Sequence, residues 1–164
     1  MNANQLKKYV VEPTLKEIDL YSEAAVNLIL GTAAQESRCG HYIHQVNGPA
    51  LGIYQMEPLT NDDIWNSYLA YHIDLMDDLL EAIGYDCGNY ALTNIAFNSE
   101  RLIWDLKYAT IMCRLHYYRV PVPLPRAEDL SGLAAYWKKY YNTEKGKGTE
   151  QEFIKNYRSL IDDS

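Results

Sequence analysis

The chain has 164 residues, 22 of them acidic and 15 basic, for a formal charge of -7. That length suits one domain with a real core. The acidity, with no basic stripe, argues against a nucleic-acid partner or an anionic membrane surface. Fifteen tyrosines and three tryptophans stand against two phenylalanines. Such rings suit sugar stacking and, more commonly, half-buried positions with a polar tip. The three cysteines, Cys39, Cys87 and Cys113, are widely spaced without zinc-type spacing, as free thiols in a reducing compartment would be.

In chain order, residues 4–18 form a short helical candidate that Pro13 is expected to end or kink. The stretch lacks the apolar region and cleavage site of a signal peptide, and no run reaches the length needed to span a bilayer. A clearer helix starts after Ser22, a good N-cap, and runs to Ser37. Its apolar positions Ala25, Leu28, Ile29, Thr32 and Ala33 share one face, and Glu36 falls on that face.

Residues 38–58 read as loop with short extended pieces, punctuated by Gly40, Gly48, Pro49, Gly52 and Pro58. Asn61 or Asp62 is expected to cap a helix running to a stop at Gly84. After the "DCGNY" turn, residues 91–120 read as a helix or a broken pair, halted by "PVPLPR". Two further helices follow, split by a Gly- and Lys-rich loop at 144–148. Trp65 and Trp104, at helical spacing among apolar neighbours, are expected in the core, while Trp137 is assignable either to a cleft or to its support. With no strand of length and no repeat, the chain reads as a mainly α single domain over 1–164, with 1–20 as an N-terminal helical extension.

Glu36 is the residue that asks for an explanation. An ionised carboxylate on an inward helix face is costly unless paired, so its pKa rises and it keeps its proton near neutrality, as a general acid must. The plainer alternative is pairing with Arg38 at a frayed helix end.

Glu36-Ser37 at the end of a helix, then Gly52-Ile53-Tyr54-Gln55 with Pro58 and Thr60, and finally Tyr141-Asn142 before Gly146 and Gly148 occur in an order that resembles the lysozyme-like superfamily, specifically its soluble lytic transglycosylase and goose-type lysozyme branch. The resemblance implies a lysozyme-like helical fold with a substrate cleft and a metal-free, cofactor-free enzyme cleaving the β-1,4 bond between N-acetylmuramic acid and N-acetylglucosamine. It implies Glu36 as catalytic acid/base and Ser37, Gly52, Tyr54, Gln55, Met56, Tyr141 and Asn142 as substrate-binding, with Tyr141 hydrogen-bonding near the acid. Its partner is then the glycan strand of peptidoglycan.

Hydrolases commonly need a second carboxylate roughly 5–9.5 Å from the first. Between Ser37 and Met56 there is no Asp or Glu. A transglycosylase needs only one carboxylate, which protonates the leaving oxygen and then deprotonates the sugar's own 6-hydroxyl. This favours anhydro-ring formation over hydrolysis. The chain departs from the family at Tyr54, where Met is usual, at Glu57, where an apolar residue is usual, and in "TEKGKG" after Asn142. Glu57 and Asp62 stay open as second carboxylates, and a wall-binding virion protein without turnover is the alternative of another class.

"GTAAQES", "GPALGIYQMEP" and "DIW" look most like tailed-bacteriophage members of the superfamily, either endolysins released from the host cytoplasm with a holin or parts of the virion beside other phage proteins. His41 and His44 lack the third ligand a zinc site needs and read as loop histidines. Cys39 has no base partner that would make it a nucleophile. Lys138, Lys139, Lys145 and Lys147 read as a solvated face or as a contact for an anionic glycan.

Overall fold

The computed structural model describes residues 1–85, 98–143 and 146–162. Helix α1 runs through three registers: Ala3–Leu6, a wide five-residue-spaced stretch Lys7–Val11, and Glu12–Glu17. Pro13 therefore does not end the helix. The hydrogen-bond ladder widens just before it, as the Glu12 N–H bonding to Lys7 O shows, and the proline occupies the first turn of the last segment, where no N–H is required. Leu6, Val11 and Leu15 are fully buried in the same core as the rest of the chain.

Helix α2, Glu23–Ser37, begins as expected, with the Ser22 hydroxyl accepting from the Ala25 N–H at 3.1 Å. It is buried nearly all round, with Val26, Leu28, Ile29, Leu30, Ala33 and Ala34 all closed to solvent. A helix apolar on every side lies at the centre of its fold. Gly31 allows its closest crossing: a Cβ there would stand 2.2 Å from Phe153 Cζ, so only glycine admits that ring.

Helix α3 begins at Pro58 (Pro58–Asp63) and continues through Ile64–Tyr68 and Leu69–Tyr71. Neither Asn61 nor Asp62 caps it. Pro58 already supplies a first helical residue with the right φ, and Asn61 is buried, its Oδ1 accepting from Tyr108 Oη at 2.7 Å. The helix breaks at His72, and α4, Ile73–Ala82, stops at the left-handed Gly84 as expected.

The broken pair also appears: α5, Arg101–Trp104, and α6, Leu106–Tyr118, meet at Asp105. The Asp105 carboxylate caps the Tyr108 N–H and pairs with Arg101. Residues 91–97 of that prediction, the "DCGNY" turn and Cys87 lie outside the described residues. Trp65 is buried and donates to Tyr108 Oη at 2.9 Å. Trp104, expected inside, is 68% exposed beneath the Arg101 guanidinium. Helical spacing does not carry across the break at Asp105, which restarts the helix in a new phase.

Helix α7, Leu130–Trp137, continues through Lys138–Asn142. Helix α8, Glu150–Tyr157, continues through Arg158–Asp162 behind a Thr149–Glu152 capping box. The described residues are mainly helical with no strand, only isolated bridges from Leu51 to His44 and to Met56. Among them no helix is long and apolar enough to cross a membrane.

Candidate functional site

The end of α2 is abrupt. Arg38, Cys39 and Gly40 all take positive φ (51°, 53° and 83°), a conformation that costs non-glycine residues about 1–2 kcal/mol each. Ser37 holds the turn. Its buried hydroxyl accepts from the Gly40 N–H at 2.8 Å and donates to Ile53 O at 2.5 Å, tying the helix end to the far side of the loop. The loop folds back at Gly52, with φ 73°, where a Cβ would lie 1.9 Å from the Leu102 carbonyl oxygen. Only glycine fits that position.

Glu36 thereby lines a cavity of about 900 Å³, in the size range of ligand sites. Its Oε1 accepts from Trp137 Nε1 at 2.9 Å. Arg38 is exposed, and among the described residues Glu36 makes no ion pair. Burial pushes the carboxyl pKa up to about 7, the Trp137 hydrogen bond offsetting part of the rise.

Gln35 and Glu36 form one wall, and Gln45, Gln55 and Met56 of the loop form the next. Glu57 and Thr60 at the start of α3, and His116, Tyr141, Asn142 and Gly148, also line the cavity. Gln55, with φ 48°, is fixed by its own amide donating to Gly52 O at 2.7 Å.

Of the residues expected in the site, Glu36, Gln55, Met56, Tyr141 and Asn142 meet at this cavity. Ser37, Gly52 and Tyr54 do not line it; they build the wall from behind. The Tyr54 ring is fully buried and its hydroxyl meets Thr110 Oγ1 at 2.9 Å. Thr110 gives its own proton to Leu106 O at 2.7 Å, so Tyr54 is the donor of that pair. The contribution of Tyr54 is its carbonyl, which accepts from Tyr141 Oη at 2.8 Å. Tyr141 thus faces the cavity with its hydroxyl spent on the loop rather than bonded to the acid. Tyr140 turns away to pack on Tyr136, ring centroids 4.6 Å apart.

Three residues support the site: Trp137, open from the sequence to a cleft-side or a supporting role, takes the supporting one, Lys138 reads from the sequence as a solvated face or a glycan contact, and His116 is not singled out there. Trp137 is the hydrogen-bond partner of the acid, and Gly148 lies so close to its ring that a Cβ would come within 2.7 Å of Cη2. His116 packs edge-on to Tyr141 with centroids 4.9 Å apart. Its Nε2–H donates to Tyr140 O at 2.8 Å, which leaves Nδ1 to accept from Arg119 Nη2 at 3.3 Å. That pattern suits the neutral ring, and burial holds its pKa down to about 4. Lys138 Nζ donates to Asn142 Oδ1 at 2.7 Å and to Gly146 O at 2.8 Å. An ammonium has no acceptor, so the amide of Asn142 is turned with its Nδ2 donors away from the lysine.

The open choice of a second carboxylate narrows to Glu57, which lines the cavity, whereas Asp62 is exposed outside it and accepts from Asn61 Nδ2. His44 reaches the cavity while His41 packs edge-on to Tyr42. Among the described residues no group of three or more His, Cys, Asp or Glu is placed to hold a metal. Cys39 and Cys113 are buried free thiols, and burial raises the pKa of both. Of the lysines, Lys147 lines the cavity, Lys139 lies over Tyr140, and Lys145 is outside the described residues.

Comparison with known protein families, curated proteins and solved structures finds no match to this chain.

Proposed function

We propose that the protein is a lysozyme-like lytic transglycosylase that cleaves the β-1,4 bond between N-acetylmuramic acid and N-acetylglucosamine in peptidoglycan. The observation that carries this reading is Glu36: a carboxyl without an ion-pair partner among the described residues, held half-protonated near pH 7 on the wall of a polar cavity. A group poised near the working pH serves both halves of the reaction. As the acid, Glu36 gives its proton to the glycosidic oxygen while C1 of the muramyl ring becomes electron-poor. As carboxylate, it then takes the proton of the 6-hydroxyl as that oxygen bonds to C1. No water is consumed, and the carboxyl ends protonated as it began.

Gln55, Asn142 and Tyr141 line the cavity, and such amide and phenol side chains suit the hydroxyls and acetamido groups of a glycan. The resemblance to phage members supports the role of an endolysin or a wall-degrading virion component.

The position of Glu57 on the cavity wall favours one second reading, hydrolysis by water activated at that carboxylate. Digestion of purified peptidoglycan followed by mass spectrometry of the soluble muropeptides tests both. Anhydro ends lighter by one water, produced by wild type and not by Glu36→Gln, support the transglycosylase. Reducing ends support hydrolysis, and no soluble product from wild type contradicts both.

A further inference from the structure

A second cavity, of about 290 Å³, shares no lining residue with the one at Glu36. Its walls are the faces of Tyr117, Tyr118 and Tyr136, residues 120–124 of the Pro-rich segment, and Arg114. Arg114 is only 8% exposed. Its Nε donates to Leu20 O at 3.1 Å, and its guanidinium lies 5.0 Å from the centroid of Tyr118.

A guanidinium carries five N–H donors, and one of them accounts for the tie to Leu20. Among the described residues Arg114 makes no ion pair. Burial pulls its pKa down, and the groups that offset this are the phenols of Tyr118, Tyr136 and Tyr68 and the thiol of Cys113, with no carboxylate among them. A buried cation lacking a counter-ion is costly, and a ring face repays only part of that cost. In a chain of formal charge -7 this is a buried cation beside aromatic and apolar walls, a setting that suits a carboxylate carrying a small apolar body.

Tyr118 is also a wall of a third, more open cavity of about 730 Å³, which Tyr68, Tyr71 and His72 line with Asp74. Tyr71 and Tyr118 expose their rings there. The small Arg114 cavity thus has a neighbouring aromatic groove over which a longer molecule can lie.

We propose that the Arg114 cavity binds the C-terminal carboxylate of a short peptide, whose preceding residues cross Tyr118 toward Tyr71 and His72. The guanidinium supplies a two-pronged contact to the carboxylate, and the tyrosine faces with Val120, Val122 and Leu124 enclose a small last side chain. Asp74 in the open cavity is an acceptor for a peptide N–H. The site involves no turnover and stands apart from the chemistry assigned to Glu36.

The test is NMR on 15N-labelled wild-type protein, following the Nε–H of Arg114 during titration with N-acetyl-alanyl-alanine, its C-terminal amide, and acetate. The free-acid dipeptide is expected to give a saturable shift, the amide to bind at least about tenfold more weakly, and acetate to bind more weakly than the dipeptide. Tyr118→Ala, which leaves the tie from Arg114 to Leu20 in place, is expected to weaken the dipeptide more than acetate. An equal response to acid and amide, or no saturable shift at Arg114, overturns the proposal. Acetate binding as tightly as the dipeptide overturns the assignment to a peptide end.

Discussion

The indole Nε1–H of Trp137 meets the carboxylate of Glu36 at 2.9 Å, joining two helices whose contact residues are 101 positions apart in the chain. Among the described residues it is the one hydrogen bond that favours the ionised form of a carboxyl otherwise driven neutral by burial. Trp137→Phe keeps much of the ring volume and removes the donor. Its expected effect is a rise in the Glu36 pKa, so the pH profile of peptidoglycan solubilisation moves to higher pH. A profile unchanged within error contradicts this role. The loss of buried volume and of a hydrogen bond to a charged group is expected to cost about 1–3 kcal/mol in a denaturant melt.

Glu36 also links folding to pH. Its carboxyl moves from an ordinary value of 4.5 to about 7 on folding, so between those values the folded state holds a proton that the unfolded chain has released. Stability contributed by the proton therefore falls as pH rises through this window, by up to roughly 3 kcal/mol above pH 7. Glu36→Gln carries no charge to bury and keeps an acceptor for Trp137. It is expected to match wild type near pH 4 and to exceed it at pH 8, read from paired urea melts. A variant less stable at both pH values would make Glu36 a structural anchor.

His116 has the opposite sign. Its pKa falls from 6.5 to about 4 on folding, so the unfolded chain binds the proton first and stability drops as pH falls through that window. The cost is again roughly 3 kcal/mol when complete. Between pH 4.5 and 6.5 the two residues offset each other. His116→Phe is expected to lose least, relative to wild type, at low pH and most near neutrality. A stability difference that does not vary with pH would refute the assignment of a neutral buried ring.

Lys138 acts on the cavity through Asn142. Lys138→Met frees the amide to turn, and a weakened substrate contact is expected to raise KM several-fold, within the roughly 0.5–1.5 kcal/mol of one neutral hydrogen bond, while kcat changes less. Lys138→Arg, which keeps the donors, should recover most of the loss. A fall in kcat at constant KM would place Lys138 in the chemical step instead.

Gly52→Ala puts a methyl group into the Leu102 carbonyl at a backbone angle that alanine resists. A loss of more than about 3 kcal/mol is expected in thermal or urea melts. Gly84, with the same backbone hand and open space around it, should tolerate alanine far better. Equal losses at both glycines would mean that the close approach at Leu102 contributes nothing.

What the sequence made legible was local. Ser22 as a cap, the apolar face of α2 and the stop at Gly84 each depend on a few neighbouring residues with one physical role. Of the two outcomes expected at Pro13, ending the helix did not occur, because a widened ladder just before it absorbed the proline; Trp104 was misjudged because the break at Asp105 turned it outward. In the site, Glu36 was visible as a polar residue on an apolar helix face, and Gln55 through the family resemblance. Tyr54 was named for the wrong part of itself, since its ring is core and its carbonyl faces Tyr141. Trp137 was legible as cleft or support from its nearness to Tyr141-Asn142, but its bond to Glu36 and the contact of His116 with Tyr141 join residues distant in the chain, which no local pattern encodes.

The most direct test of the central claim is to digest peptidoglycan in water enriched in heavy oxygen and to weigh the products. If Glu36 delivers its proton and then activates the 6-hydroxyl of the sugar, the new ends are anhydro rings that contain no solvent oxygen, and Glu36→Gln yields none. One heavy oxygen at every new reducing end would show that water attacks, and would transfer the second step to a carboxylate such as Glu57.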